Sequence, residues 1–459
     1  MPGRVVIVGG GISGLSTAYY LAKAGIASTL VERAPRLGGV IQTEVVNGCV
    51  LEEGPDSFLA AKPAALELIR DVGLASDVIG SNDHLRVTYI WKGGRLLPLP
   101  DGLMMMVPTK FAPLLSSSLL GWGTKIRMGL EFFRRPSNGV RRDRTVSEFI
   151  EDHYGREAVD YLAEPLLSGV YGGSPDRLSV SSVLTRFVEL EGRYGSLTRG
   201  VLASRRASGP KSQGTPLFRT LKGGLAHLTS LLEERIREST RVVHGTAETA
   251  RRGPEGGWRV RVDGDWCEAD HLVLATPAWQ AGALLGETGA ALASLLSGVE
   301  YSSSMTLALG YDKAALGHDL RGFGFLVPAR ERRRLVACTW VGTKFSHRVP
   351  EGQAVLRCFL GGASDEGVLD ESDESVVQTV LGELREIMGI SAKPAFYRIA
   401  RWRKSMAQYT VGHEDRVRRI EERLREHAGL YLAGNAYHGI GIPDCVKMGR
   451  EAAARIAAT

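Results

Sequence analysis

The sequence predicts an α/β protein. A Rossmann-like dinucleotide-binding domain is built from discontinuous segments, with a mixed-sheet domain and a mainly helical domain inserted between them. Three observations predict it. The chain opens on "RVVIVGGGISGLSTAYYLAKAGIASTLVER", Arg4 to Arg33: a β-branched run, a glycine turn, a helical pattern and a second strand. Strand-and-turn pieces recur far along the chain, at 241–249, 271–279 and 429–457. Between them lie a stretch of helical periodicity, 96–210, and one of strand-like alternation, 283–397, ending in a helix over Glu374 to Met388. A chain of 459 residues needs more than one core, and no internal repeat divides it.

The opening unit carries the first chemistry. Gly9, Gly11 and Gly14 fit G-x-G-x-x-G, with Gly10, Ile12 and Ser13 between them. Gly9 permits the tight turn, Gly11 a close backbone approach to a pyrophosphate, and Gly14 close packing of helix on strand. The N–H groups at the helix start attract phosphate. Glu32, at the end of the second strand, is placed to accept hydrogen bonds from an adenosine ribose. NAD and FAD both satisfy these requirements. Of the distant pieces, 241–249 reads as one strand, 271–279 as a buried strand with a small-residue turn, and 429–457 as strand, glycine-rich loop and terminal helix. That last helix is expected to aim its positive end at the cofactor.

Composition excludes other classes. Five scattered cysteines, none in a C-x-x-C pair, argue against a disulfide framework and a zinc site. The first residues form a strand-turn rather than a secretory leader, and no uncharged apolar run is long enough to span a bilayer, so the expected compartment is the cytoplasm. The net charge of +6 is modest, with no basic tail and no aromatic–basic interleaving, so no nucleic-acid partner is expected. Leu99 to Phe133 is unusually apolar and contains Met104, Met105, Met106 and Trp122. It reads first as a core helical pair, with a peripheral membrane contact as the alternative. "RRASGPKSQGTP", Arg205 to Pro216, reads as a mobile loop, and Arg330 to Arg334 as a solvated hairpin tip.

After Glu32 comes "RAPRLGGVIQT". The run Glu32, Arg33, Arg36, Gly38, Gly39 resembles the FAD-binding start of the flavin amine oxidase superfamily. "GPDSFL", "EPLLSGVYGGSPDRLS", "RWRKSMAQYTVGH" and "GIGIPDC" together are similar to the oxygen-dependent porphyrinogen oxidases of haem synthesis, over about Val5 to Ala454. "GIGIPDC", "VPTKFAP" and "TWVGTKFSHRVPEG" are most similar to the bacterial branch acting on coproporphyrinogen III.

The resemblance implies a GR2-type FAD-binding domain at 1–60, 217–282 and 398–459, a substrate domain at 61–95 and 283–397, and a helical domain at 96–216. FAD would be held without a covalent bond by Gly9 to Gly14, Glu32, Arg33, Gly38, Gly39, Gly54, Pro55, Asp56, Ser57, the backbone at Glu248, and Trp402, Ile440, Gly441 and Ile442. Cys445 lies near this loop but lacks the context of covalently attached flavins. Leu326, Trp340 and Phe359 would sandwich the substrate ring, with Gly169 and Val170 at the mouth and Lys62, Arg95 and Arg177 as candidate cations for its carboxylates. Thr88 stands where plant-type relatives carry arginine, which favours coproporphyrinogen. The implied reaction is a six-electron oxidation of coproporphyrinogen III to coproporphyrin III in three two-electron rounds, with O2 as acceptor and hydrogen peroxide released. Protoporphyrinogen IX is the alternative substrate. The product implies a transient contact with the next haem-pathway enzyme. No general acid or base is assigned.

Overall fold

Val5–Val8 is a run of four β-branched residues, all buried. It pairs in parallel with Ser28–Glu32 on one side and His271–Leu274 on the other. Thr240–His244 and Leu430–Leu432 extend the sheet at its two edges, again in parallel. Continuous apolar runs suit such a sheet, which is buried on both faces. Ile12–Lys23, Ala64–Asp71, Ala226–Ile236 and Ile442–Ala457 pack on one of them, where Leu15, Leu68, Leu228 and Val446 bury with Ile7, Leu30 and Val273 in one core. The chain leaves Val5–Val8 toward one edge and returns on its other side at His271–Leu274. That is the topological switch point, where ligands bind outside the carboxyl ends of the strands.

These observations come from a computed structural model that describes residues 3–136, 142–207, 216–254 and 256–459. The chain divides into two compact units, Met1–Ser81 with Pro216–Tyr301 and Asp415–Thr459, and Asn82–Thr215 with Ser302–Glu414. This differs from the expected three parts. The helical residues and the larger sheet make one unit, because Ile90, Leu162, Leu167 and partly buried Leu326 share a core. The strand Phe396–Gln408, which carries Trp402, lies beside Glu300–Asp312 at the edge of that sheet rather than in the cofactor unit. The expected single strand 241–249 is also two. The chain turns at Gly245, whose N–H donates to the Glu32 carbonyl at 2.9 Å, and Ala247–Arg252 joins a separate antiparallel sheet with Trp258–Val262 and Asp265–Ala269.

The second unit is organised by a seven-stranded mixed sheet. Its order is Phe396–Gln408, Glu300–Asp312, Gln353–Gly361, Ala337–Trp340, Gly324–Leu326, Thr88–Lys92 and Arg95–Pro98. The helix Asp373–Met388, capped by the Ser372 hydroxyl, buries Val376, Val380 and Leu384 on one face. Arg205–Ala207 close the helix Leu197–Ala207, and residues 208–215 of the expected loop lie outside the described residues. Among the described residues, no helix is long and apolar enough to cross a membrane.

Candidate active site

The turn after Val8 shows why its glycines are glycines. Gly9 has φ +106°, and a Cβ there would stand 2.7 Å from the Ala275 carbonyl oxygen. A Cβ at Gly14 would be driven into the Gly9 carbonyl oxygen, so the helix can approach the strand only without one. Gly11 is different. It is the N-cap of Ile12–Lys23 in extended backbone, no side chain caps the helix, no acid occupies its first turn, and a Cβ at Gly11 would meet nothing within 4 Å. Open space and uncompensated donors at a helix start are what a pyrophosphate requires. Ile12 and Ser13 are buried behind the turn.

Glu32 already works within the protein. One carboxylate oxygen accepts the Gly10 N–H at 2.7 Å and the other the Ala34 N–H at 2.8 Å, fastening the turn to the second strand. Two oxygens offer about four acceptor positions, so capacity remains for ribose hydroxyls. Arg33 is exposed. Arg36 builds the second loop instead: its guanidinium donates to the Leu37 carbonyl at 3.0 Å and the Gly39 carbonyl at 2.7 Å. Gly38 donates to the Gly10 carbonyl at 2.8 Å, which draws this loop onto the first turn. Gly54 backs onto the Val40 carbonyl too tightly for any side chain, Pro55 follows, and the Ser57 hydroxyl donates to Asp56 at 2.6 Å. Glu248 sits where the register passes from Ala247–Val262 to Thr249–Arg261, a bulge that leaves its backbone outside the ladder. Its side chain turns to Arg261 at 3.2 Å.

The loop of Ile440 and Gly441 leads into the helix Ile442–Ala457, which lies against Ile12–Lys23. A methyl at Gly449 would stand 2.5 Å from the Ser13 carbonyl oxygen. The positive end of this last helix carries an acid of its own. Asp444 accepts the Gly441 N–H at 3.2 Å and pairs with Lys62 at 2.7 Å. This also removes Lys62 as a free cation for substrate carboxylates. Burial pushes the Cys445 thiol up to about 11, which holds it protonated and unreactive.

In the second unit, cross-strand register decides which side chains share a face. Ile90, Leu326, Ala337, Phe359 and Thr306 are successive partners across five strands, so they form one row on one face. A Cβ at Gly169 would lie 3.9 Å from Leu326, which brings the helix Glu164–Tyr171 to that row. Gly169 and Val170 are both exposed. Trp340 does not join them. Three positions beyond Ala337, it points to the opposite face, where it is buried near Tyr89 and His318 within the core under Asp373–Met388. Of the three expected ring-contacting side chains, only Leu326 and Phe359 share a face.

Sequence reasoning missed Arg357 and Thr339, cross-strand partners one row along on the same face. Arg357 is buried, with its guanidinium 4.7 Å from the centre of the Phe359 ring. Its position two residues before Phe359 in "LRCFL" was the available signal. Glu164, at the start of the nearby helix, accepts the Ala329 N–H at 3.0 Å, and burial pushes its carboxyl up to about 7. The Arg330–Arg334 run is no solvated tip. Arg330 pairs with Asp160 at 2.6 Å, Arg333 with Glu386, and Arg334 with Asp365 and Glu371. Thr88 pairs with Gly324 at the end of this face, and Arg95 and Arg177 are exposed.

The family model described as flavin containing amine oxidoreductase matches residues 12–457. A protein of Bacillus subtilis named coproporphyrinogen III oxidase is 35% identical over 98% of this chain and 97% of its own length. One of the same name from Staphylococcus aureus is 29% identical over the full length of both. Among solved structures, that of an Exiguobacterium protein assigned as a protoporphyrinogen oxidase superposes with a TM-score of 0.88 at 33% identity. It covers 99% of this chain and 98% of that one.

Proposed function

This chain belongs to the flavin containing amine oxidoreductase family, and on that premise we propose that it is an FAD-dependent oxidase of coproporphyrinogen III. The reaction consumes three O2 and releases coproporphyrin III and three hydrogen peroxide. The full-length likeness to the Bacillus protein of that name carries the substrate assignment.

When bound, the flavin accepts two electrons at a time from the porphyrinogen and returns them to O2. The protein supplies the rest. Gly9 to Gly14 and the start of Ile12–Lys23 would take the pyrophosphate, and Glu32 a ribose. The backbone of Glu248 would take the adenine. Arg33, Gly38, Gly39, Gly54 to Ser57, Trp402 and Ile440 to Ile442 are assigned to the rest of the cofactor. Supporting these assignments are the open space at Gly11 and the bulge at Glu248. The buried, protonated Cys445 supports a non-covalent flavin.

Leu326 and Phe359 would lie against the flat macrocycle, with Gly169 and Val170 at the mouth. Their shared, partly open surface supports this. No general base is required of them, because positioning the carbon to be oxidised and excluding water suffice. The enzyme would act on the cytoplasmic side and hand its product to the next haem-pathway enzyme by transient contact.

Steady-state comparison of coproporphyrinogen III with protoporphyrinogen IX tests the assignment, reading porphyrin fluorescence and oxygen uptake together. The expected ratio is one porphyrin to three O2, with the higher kcat/KM on coproporphyrinogen III. A higher value on protoporphyrinogen IX assigns that substrate instead, and porphyrin from neither overturns both.

A further inference from the structure

The strand Gln353–Gly361 puts a cation where packing alone would not. It is third of seven in its sheet, and its Leu356, Cys358 and Leu360 point into the apolar core under Asp373–Met388. Alternation sends Arg357 and Phe359 to the other face. Arg357 is 4% exposed. A guanidinium keeps its charge when buried, and an apolar side chain of similar length would pack there at lower cost. The charge therefore calls for a reason beyond the fold.

The register shows what lies beside it. Ile90, Leu326, Ala337, Phe359 and Thr306 form the row to which the macrocycle is assigned. The next row on the same face reads Thr88, Gly324, Thr339, Arg357 and Ala308. Two residues of strand separate the rows, or about 7 Å. The first row is apolar but for the Thr306 hydroxyl. The second carries Arg357, with half-buried Thr339 directly across from it. The Arg357 guanidinium reaches back to 4.7 Å from the centre of the Phe359 ring. Flat apolar surface and cation thus face the same space. Other groups of the protein also contact Arg357, and a guanidinium has five N–H donors to divide among its partners.

We propose that Arg357 receives a propionate carboxylate of the substrate, with the Thr339 hydroxyl donating beside it. Arg357 then selects a carboxylated macrocycle over an uncharged one of the same shape. The inference rests on the porphyrinogen reading of this face. A propionate holds its carboxyl carbon three bonds out from the pyrrole. A ring lying on Leu326 and Phe359 therefore carries its acid groups beyond its edge, toward the neighbouring row. A carboxylate leaves water for such a surface only where a charged donor replaces the lost hydration.

The test uses the full-length, flavin-loaded protein and two stable probes of one shape, coproporphyrin III and its tetramethyl ester. Both are titrated in the same dilute detergent and read by porphyrin fluorescence. The unaltered protein is expected to prefer the acid. Arg357→Met should weaken the acid about 10–150-fold, the worth of one hydrogen bond to a charged group, and leave the ester nearly unchanged. Arg357→Lys, which keeps the charge without the planar fork, should fall between the two. In turnover, KM for coproporphyrinogen III should rise while kcat is retained. A purely structural role would weaken acid and ester alike; that outcome, or wild-type affinity for the acid in Arg357→Met, overturns the proposal. Should the methionine variant lose its flavin, Arg357→Gln is read in the same way. Failure of the porphyrinogen reading shows in the unaltered protein, which would then bind neither probe and oxidise no porphyrinogen, and the inference would fall with it.

Discussion

Gly9 and Gly11 sit two residues apart in the same turn, yet replacing each by alanine should break different things. At Gly9, φ is +106° and a Cβ would stand 2.7 Å from the Ala275 carbonyl oxygen. An ordinary carbon–oxygen contact is about 3.3 Å, so the backbone must yield by about 0.6 Å while holding a conformation that costs an L-residue about 1–3 kcal/mol. With overpacking of similar size, Gly9→Ala should destabilise the flavin-free protein by about 2–5 kcal/mol. At Gly11 the backbone is extended and a Cβ would meet nothing. Gly11→Ala costs only the N-cap preference, at most about 1 kcal/mol. Its methyl does stand where the pyrophosphate is assigned, and losing one hydrogen bond to a charged group costs about 1.5–3 kcal/mol, or about 10–150-fold in Kd. The assay strips the flavin, measures apoprotein stability by denaturant, and titrates FAD back by quenching of its fluorescence. Gly11→Ala is expected to leave stability nearly unchanged and weaken FAD. Gly9→Ala is expected to lose stability outright. Wild-type FAD affinity in Gly11→Ala would refute the placement of the pyrophosphate.

Four further outcomes follow from the site. Phe359→Ala should raise KM for the porphyrinogen at least about tenfold from lost contact area. Trp340→Ala, on the other face, should leave KM unchanged but cost about 3–5 kcal/mol of stability in denaturant titration; the reverse pattern would return Trp340 to the site. Acid precipitation should release all flavin into the supernatant, from both the wild type and Cys445→Ala, as absorbance will tell; yellow colour retained in the pellet would contradict non-covalent binding. Glu164 has its folded pKa raised by burial to about 7, so between about pH 4.5 and 7 the folded protein keeps a proton that the unfolded chain loses, and stability falls as pH rises. Glu164→Gln should therefore match the wild type at pH 4 and exceed it by up to about 3 kcal/mol at pH 8 in denaturant titrations; a difference independent of pH would refute the burial argument.

The features legible in the sequence share a property: their requirements are local. Gly9, Gly14 and Glu32 answer to the turn, helix and strand they sit in, and the structure places them where that unit needs them. Trp340 depends on more. The alternation in "LVACTWV" separates two faces, but only the pairing of Ala337 with Leu326 and Phe359 says which is which, and an offset of one residue exchanges them. The helix Trp122–Glu131 shows the same limit more sharply. Its periodicity announces two faces, and the cost of burying charge assigns Lys125 and Glu131 to the outside. The structure reverses this because both charges find partners that the spacing cannot reveal. Lys125 meets carbonyls at the end of a neighbouring helix, and Glu131 meets His153, Ser196 and the Leu197 N–H, up to 66 residues away. Once those charges are satisfied inside, the apolar stripe has nowhere to go but out.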